Sequence, residues 1–141
     1  MIIRNATKND KDYIVSRNDI VNGVSGISSK GKLSLNFEKD FFGENPKAHA
    51  LVVEENGEII AYAIYSFIYW STQGQGAYLS NVYVEEHYRK KGVFKAILEK
   101  LKSFEDINFI TMLIGDENES MQKTISNYGA KDVKMKMFYL K

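Results

Sequence analysis

The spacing of apolar residues predicts two helices in the first third of the chain. Residues 2–3 are both Ile and indicate a short strand, after which Thr7 can cap a helix through its hydroxyl. Three Phe between residues 37 and 42 recur at the spacing of one helical face, which predicts a second helix ending near Gly43. Residues 22–34, which separate the two helices, are rich in Gly and Ser and are typical of a loop.

The middle of the chain changes to a pattern typical of β-strands. Residues 50–54 and 59–68 are rich in β-branched and aromatic residues, and Asn56-Gly57 separates them. That dipeptide tolerates the positive φ angles of a tight turn, so the pattern predicts a β-hairpin. A loop at residues 71–76 leads into a third strand at residues 77–84.

The last third predicts an alternation of helices and strands. A helix follows the third strand, with one apolar side formed by Val93, Phe94, Ile97, Leu98, Leu101 and Phe104. Residues 109–114 resemble a buried strand, residues 118–128 a weaker helix, and residues 133–137 alternate as an antiparallel strand does. The order β-α-α-β-β-β-α-β-α-β predicts a mixed α/β fold, organised as a single domain over residues 1–141.

Composition excludes several classes of function. The chain has 141 residues, 44% hydrophobic and 26% charged, which is typical of a soluble domain. No segment approaches the roughly 20 apolar residues that a membrane span needs, and the N-terminus lacks a secretory signal, so we expect a cytoplasmic protein that does not bind membranes. There are no cysteines, and the two histidines lie far apart, so we expect no metal site.

Positive charge is concentrated in one segment. Residues 86–102 contain six Lys or Arg and two Glu, so this segment carries +4 and the remainder −3, for a net charge of +1. A local positive patch on a nearly neutral chain favours a small anionic ligand over a nucleic acid.

The segment from Val82 to Lys95 is predicted to run from strand through loop to helix. Gly92 at the start of the helix lets the backbone turn tightly and leaves the first helical amides open, which favours anion binding. The preceding Arg89, Lys90 and Lys91 add positive charge. The alternative interpretation is an exposed run of charges before an ordinary helix.

This segment resembles the GNAT acetyltransferase superfamily. The family signature is Arg/Gln-x-x-Gly-x-Gly/Ala at a strand-to-helix turn, and Arg89-x-x-Gly92 fits it, with Val84 before and Ile97 after. Phe94 departs from it, because Gly or Ala is usual at that position. The resemblance implies a GNAT-like fold with a mixed, mostly antiparallel sheet of six to seven strands flanked by about four helices.

The resemblance extends over nearly the whole chain. Residues 3–10 look like the first strand and helix start of the family, and Asn118 and Gly129-Ala130 are spaced like its last helix and the following turn. Residues 35–97 are most similar to the diamine (spermidine/spermine-type) acetyltransferase branch.

The resemblance implies an N-acetyltransferase that uses acetyl-CoA, with direct attack by a primary amine in a ternary complex. Backbone amides of the strand segment Val82-Tyr83-Val84 would pair with the pantetheine arm. Asn118 would contact this arm from the other side. The diphosphate would be held by Arg89, Lys90, Lys91, Gly92, Val93, Phe94 and Lys95.

The expected general acid is missing. In the family a tyrosine often lies seven residues after the position of Asn118, and here that residue is Ile125. Tyr128 lies one helical turn later and is the candidate catalytic residue, although a tyrosine packed at a helix end is the simpler interpretation.

The acceptor side also departs from the diamine branch. At the positions where polyamine-acetylating relatives carry acidic residues, this chain has Trp70, Ser80 and Asn81, so a polyamine is not expected. With Tyr78 they suggest a site for a small amino compound or a peptide end. The aromatic region that contains Trp70 and Tyr78 is equally typical of an exposed sheet face or a homodimer contact.

Three functions remain to be compared. The first is an N-acetyltransferase for a small-molecule or protein amine. The second is a catalytically weak acyl-CoA-binding sensor or interaction module, which the replacement at Ile125 keeps open. The third, a nucleic-acid binder, is disfavoured by the net charge of +1 and by the lack of a recognised binding motif.

Overall fold

A computed structural model describes residues 1–24 and 31–141 of the chain. The strands are β1 (Ile2–Asn5), β2 (His49–Glu55), β3 (Glu58–Trp70), β4 (Gly74–Val84) and β5 (Ile110–Thr111). The helices are α1 (Lys11–Val24), α2 (Lys32–Phe42), α3 (Val93–Lys102) and α4 (Glu119–Asn127). Short 3₁₀ turns at Lys8–Asp10 and Glu86–Tyr88 precede α1 and follow β4.

The strands form one sheet in the order β1-β2-β3-β4-β5. The first three pairings are antiparallel, and β5 joins β4 in parallel. The predicted mixed, mostly antiparallel sheet and its four helices are therefore confirmed. The predicted count of six to seven strands is too high, because the described residues form five.

The turn between β2 and β3 has the predicted hairpin conformation. Asn56 and Gly57 both have positive φ, 54° and 81°, and these values match the twist of the flanking strands. The hairpin is confirmed, and β3 extends beyond the predicted run to Trp70.

Helices cover both faces of the sheet, and each face has its own apolar core. The first core joins α3 to the sheet, and the predicted apolar side of that helix is confirmed. The second joins the sheet to α1 and α2 through Ile14, Phe37 and Phe41. Side chains alternate between the two cores along β2, as the period of a strand requires: Leu51 and Val53 belong to the first, and Ala50 and Val52 to the second.

A partly buried ion-pair cluster ties the N-terminal strand to the start of α1. The guanidinium of Arg4 donates to both carboxylate oxygens of Asp10, at 2.8 and 3.0 Å, and also to Glu54 on β2. The backbone N–H of Thr7 donates to the same Asp10 carboxylate at 2.6 Å. Thr7 thus precedes a 3₁₀ turn that continues into α1, rather than the α-helix itself.

Four predicted segments need correction. The loop expected at residues 71–76 is shorter, because β4 begins at Gly74, and the strand expected at residues 109–114 forms only at Ile110–Thr111. The loop expected at residues 22–34 is shorter, because α1 continues to Val24 and α2 begins at Lys32; residues 25–30 lie outside the described part. The strand expected at residues 133–137 is not formed, and Val133, Met135 and Met137 are exposed. Alternation alone did not produce a strand there, because a strand also needs a partner that satisfies its backbone hydrogen bonds.

Candidate active site

A β-bulge at Ser80 interrupts the pairing of β3 with β4. Ile64 lies opposite Asn81 and Tyr65 opposite Leu79, so Ser80 is the extra residue. Its hydroxyl donates to the carbonyl of Ile64 at 3.2 Å, which fixes the bulge. Bulges re-aim the side chains that follow them and are frequent beside active sites.

The bulge decides which residues of β4 face which core. Ala77 and Leu79 face α3 before it, and Val82 and Val84 face α3 after it. Without the extra residue, strict alternation would turn Asn81 and Tyr83 toward α3 instead. With the bulge present, Tyr83 instead packs in the core between the sheet and helices α1 and α2, with its ring 6.4 Å from that of Tyr62.

The outer edge of β4 opens after the bulge. Its parallel pairing with β5 covers only Ala77 and Tyr78 in the described residues. The amide of Glu85 donates to the carbonyl of Ile60 on β3 at 2.9 Å. Because backbone groups alternate along a strand, those of Val82 and Val84 point to the opposite, open edge. This edge can accept an extended chain that carries amides.

The loop after β4 has an uncommon backbone. Lys90 and Gly92 both adopt positive φ, 61° and 83°, and a Cβ built on Gly92 would meet no atom within 4 Å. Such conformations in residues other than Gly carry a cost and cluster at ligand-binding turns. Positive φ at Gly92 turns the chain directly into α3, as the sequence predicts.

The N-terminus of α3 presents open amides. The first intrahelical bond runs from the amide of Ala96 to the carbonyl of Gly92, at 3.0 Å. The amides of Val93, Phe94 and Lys95 come before it and have no acceptor within the helix. Gly92 has no side chain with which to cap them. Together with the helix dipole, these amides suit a phosphate or diphosphate.

Basic side chains surround this helix start. Arg89 folds back onto β4, where its Nε donates to the carbonyl of Val84 at 2.9 Å and its guanidinium lies 5.7 Å from the centre of the Tyr83 ring. Lys91 lies 5.5 Å from the centre of the Tyr88 ring. Arg89, Lys90, Lys91 and Lys95 are all exposed. The loop is thus a positively charged rim at the end of the open edge.

A polar cluster behind Tyr83 fixes the end of β4 against α1. The carboxylate of Glu85 accepts hydrogen bonds from Tyr13 (3.0 Å), Arg17 (2.9 Å) and Tyr83 (3.3 Å). Burial alone would raise the pKa of Glu85, but the bonds from Arg17 and Tyr13 outweigh it and hold this pKa below its ordinary value. Sequence reasoning missed this cluster, because 72 residues separate Tyr13 from Glu85.

A cavity of about 330 Å³, broadly open to solvent, lies at the bulge between α1, α2 and the sheet. Ile64 and Asn81, the pair that flanks the bulge, form part of its wall. The remainder includes polar and charged residues of α2, among them Lys32, Asn36 and Asp40. This size suits a small molecule.

Neither histidine joins this site. His49 stacks on Tyr65 with ring centres 5.4 Å apart, and burial lowers its pKa. His87 lies exposed in the 3₁₀ turn after β4. Across residues 1–24 and 31–141, no three Asp, Glu or His side chains are grouped so that they hold a metal ion. Over the same residues, the helices are too short or too polar to cross a membrane.

Comparisons with a family model and with known proteins identify the same family. Residues 24–123 match the family model described as "Acetyltransferase (GNAT) family". The chain belongs to the GNAT acetyltransferase family. It is 30% identical over 110 residues to a pig (Sus scrofa) protein named thialysine N-epsilon-acetyltransferase, with 72% of this chain and 65% of that protein covered. The chain thus spans just under two thirds of the length of this relative.

Solved structures show the same GNAT fold. A possible acetyltransferase from Clostridium difficile 630 superposes with a TM-score of 0.78 at 20% identity, over 99% of this chain and 96% of that one. Aminoglycoside N-acetyltransferase AAC(6')-Iy, solved in complex with CoA, gives a TM-score of 0.71 at 17% identity, over 99% and 98% of the two chains.

As a GNAT-family chain, this protein departs from the pattern at α4. Ile125 occupies the position where the family often has tyrosine, and its side chain is buried. Tyr128 ends the helix and is 38% exposed, with its ring 6.1 Å from that of Phe94 in the first turn of α3. Asn118 caps the N-terminus of α4, where its side-chain oxygen accepts from the amide of Met121 at 3.2 Å. The structure therefore places the ring of Tyr128 beside Phe94, at the start of α3.

The candidate acceptor residues do not all meet. Ser80 and Asn81 are adjacent at the bulge, and Tyr78 lies two residues earlier, opposite Ser66 and Thr111. Trp70 lies at the far end of β3, six residues from the partner of Asn81, which is about 20 Å along a strand. Its ring packs on Phe109 at 4.6 Å.

Sequence reasoning missed the wall that α2 contributes. Lys32, Asn36 and Asp40 recur at a spacing of four residues, which is one face of a helix. That spacing was the available signal. It was hidden because the glycines and serines before it predict a loop through residue 34.

Proposed function

We propose that this protein is an acetyl-CoA-dependent N-acetyltransferase that transfers the acetyl group to a primary amine of a small molecule. The observation that carries this proposal is the continuity of the open edge of β4 with the amide-rich start of α3. The amide of Val84 and both backbone groups of Val82 point outward along that edge, while the carbonyl of Val84 accepts from Arg89, and the positive-φ turn at Gly92 follows. An extended amide chain that ends in a diphosphate is complementary to both parts.

The residues of the loop fit the donor on structural grounds. The pantetheine arm pairs with Val82 and Val84, and the diphosphate lies against the amides of Val93, Phe94 and Lys95. Arg89, Lys90 and Lys91 offset its charge. Space above Gly92 admits a phosphate, because a Cβ built there meets no atom within 4 Å. Asn118, at the start of α4, lines the other side of the arm.

The reaction exchanges one bond for another. The amine nitrogen bonds to the acetyl carbon, the carbon–sulfur bond breaks, the nitrogen loses a proton, and the thiolate gains one. Support for this geometry comes from Asn81, which lines the cavity at the bulge and is followed directly by Val82 of the open edge. Tyr128 is the candidate proton donor, because its ring lies beside Phe94 at the start of α3.

The acceptor is a small molecule whose non-reacting end is neutral or carries charges of both signs. The relative named for thialysine N-epsilon acetylation supports an amine on a small substrate. The cavity at the bulge has room for such a substrate. Its wall includes two lysines, Lys32 and Lys47, and one carboxylate, that of Asp40. A polyamine does not suit this wall, because several cationic groups would be desolvated against a single acidic side chain.

The burial of Ile125 favours a second candidate, an acyl-CoA-binding sensor without efficient catalysis. Incubation with acetyl-CoA and a library of primary amines separates the two, with release of free CoA as the readout. Turnover of any amine above the rate of hydrolysis supports the transferase. Saturable binding of acetyl-CoA without turnover of any amine supports the sensor, and absence of binding contradicts both.

A further inference from the structure

Residues 133–140 present a run of large apolar side chains to solvent. Six of these eight residues are large and apolar, namely Val133, Met135, Met137, Phe138, Tyr139 and Leu140. Their exposed fractions run from 57% for Val133 to 96% for Leu140. Contiguous exposed apolar surface of this kind marks a site of interaction with another molecule.

The backbone of this segment also lacks partners. Over the described part of the chain, the one hydrogen bond made by residues 131–141 joins the amide of Lys134 to the carboxylate of Asp132, at 2.8 Å. The sequence alternates as a strand does, but no neighbouring strand satisfies its backbone amides and carbonyls. The segment is therefore a strand-forming sequence without a partner strand.

The end of α4 directs the segment away from its own chain. Gly129 has a φ of 87°, and the amide of Ala130 donates to the carbonyl of Ile125 at 3.1 Å, which fixes the direction in which the chain leaves the helix. Positive φ at Lys134, 56°, adds a second change of direction. All of residues 126–141 are exposed, so the segment does not pack on its own sheet.

The sheet offers a free edge at β5. Among residues 1–24 and 31–141, β5 is the last strand of the sheet and pairs only with β4. Ile110 and Met112 pack against the first core, whereas Leu113 is 54% exposed. An exposed edge strand presents unpaired backbone groups, which readily pair with an extended segment of another chain.

The free edge and the unpartnered segment carry opposite charges. Residues 105–119, which contain β5 and its flanks, have no Lys or Arg and five acidic residues, Glu105, Asp106, Asp116, Glu117 and Glu119. Residues 131–141 contain four Lys and one Asp. A segment with a charge of +3 therefore faces an edge with a charge of −5, and such complementarity favours their association.

From these observations we propose that two copies of this chain exchange residues 133–140, each segment adding a strand to the free edge of β5 in the other copy. The contact uses the same two surfaces in both directions. It therefore closes as a dimer with twofold symmetry rather than continuing as a filament. This inference is independent of the proposed acetyl transfer.

Complementary charge reversals test whether the contact lies between two chains. Lys134→Glu/Lys136→Glu changes the charge of residues 131–141 from +3 to −1, and Asp116→Lys/Glu117→Lys/Glu119→Lys changes that of residues 105–119 from −5 to +1. Each variant alone opposes like charges, so its dimer Kd should rise at least tenfold in sedimentation velocity. An equimolar mixture should dimerise again, because each segment then meets an edge of opposite charge.

The mixture separates exchange from pairing within one chain. A segment that pairs with its own β5 stays mismatched in the mixture, so failure to restore the dimer would overturn the proposal. Unmodified protein that is monomeric throughout would overturn it as well. Lys8→Glu/Lys39→Glu is the control, because both residues are exposed and Lys8 follows β1 at the opposite edge of the sheet. This control should leave the dimer Kd nearly unchanged.

Amide hydrogen exchange of the unmodified protein needs no variant. We expect the amides of residues 133–140 to be protected at concentrations where the dimer forms, and to lose that protection on dilution. Protection that is independent of protein concentration would place the segment on its own sheet and contradict the exchange. Absence of protection in a dimer would show that the two copies associate through another surface.

Discussion

The ring of Tyr128, at the end of α4, lies 6.1 Å from the ring of Phe94, in the first turn of α3. Phe94 stands where the family usually has Gly or Ala, and Ile125, one turn before Tyr128, stands where it often has tyrosine. Phe94 therefore packs beside the tyrosine that follows Ile125 by one helical turn. The bulkier Phe94 provides the surface against which the hydroxyl-bearing residue of α4 packs.

Tyr128→Phe tests whether that hydroxyl acts in the reaction. If it protonates the leaving thiolate, kcat should fall by about 10²-fold or more, and the Kd for acetyl-CoA should stay within twofold. Stopped-flow or steady-state detection of the free CoA thiol measures the first quantity, and calorimetry the second.

Tyr69→Phe is the control for this variant, because Tyr69 is 75% exposed near the end of β3, away from the loop. It should leave kcat unchanged. If Tyr128→Phe behaves like Tyr69→Phe, Tyr128 is a packing residue and the proton comes from water or another group.

Gly92 and Gly57 form a matched pair for testing the loop. Both have φ near +80°, and a Cβ built on either meets no atom within 4 Å. Gly92→Leu and Gly57→Leu should therefore each cost about 1–2 kcal/mol of unfolding free energy, because both force an L-residue into the left-handed region. Only Gly92→Leu should weaken acetyl-CoA binding, by at least tenfold, since its side chain covers the helix start. Equal affinities in the two variants would show that the ligand binds elsewhere.

Charge reversal of Arg89 tests the electrostatic part of the site. Arg89→Glu removes the bond to the Val84 carbonyl and places a carboxylate beside the proposed diphosphate. We expect at least a tenfold rise in the Kd for acetyl-CoA, with a smaller effect at high salt because of screening. Lys102→Glu changes the net charge equally at the far end of α3 and should alter Kd less than threefold. Similar effects of both reversals would indicate a general charge effect rather than a defined site.

Asp10 predicts a specific dependence of stability on pH. Hydrogen bonds from Arg4 lower its pKa, against the effect of burial, and the Thr7 amide lowers it further. Because the pKa is lower in the folded state, this stabilisation is present above the unfolded value of about 4 and is lost as pH falls through the folded value. Asp10→Asn should therefore cost about 1–3 kcal/mol near pH 7, and clearly less near pH 3.

Urea unfolding at several pH values measures this difference. Asp12→Asn, an exposed change in the first turn of α1, is the control and should be nearly neutral throughout. A cost of Asp10→Asn that is the same at pH 3 and pH 7 would contradict the assigned role of the ion-pair cluster.

Features fixed by neighbouring residues could be predicted from the sequence. Asn56-Gly57 specifies its turn through φ angles that those two residues tolerate, and the apolar side of α3 follows from its helical period. The turn at the basic loop could be predicted for the same reason, because the strand, the glycine and the helix follow one another directly in the chain.

Features that depend on distant parts of the chain could not be predicted. The bulge at Ser80 exists only in the register of β4 against β3, and Glu85 acquires its partners only when α1 packs on the sheet. The Gly- and Ser-rich composition of residues 22–34 predicts a loop at Lys32, although a helical spacing of polar residues begins there. At residues 133–137 the alternating pattern predicts a strand, but the structure has none there, because the pattern does not specify a partner strand.

The most direct test of the central claim is titration of ¹⁵N-labelled protein with acetyl-CoA, followed by amide chemical shifts. We predict saturable shifts that are largest for Val82, Val84 and Lys91 to Lys95, with the hairpin amides of Asn56 and Gly57 unchanged. Absence of saturable shifts, or shifts centred away from the β4 edge and the start of α3, would contradict the assignment of the donor site.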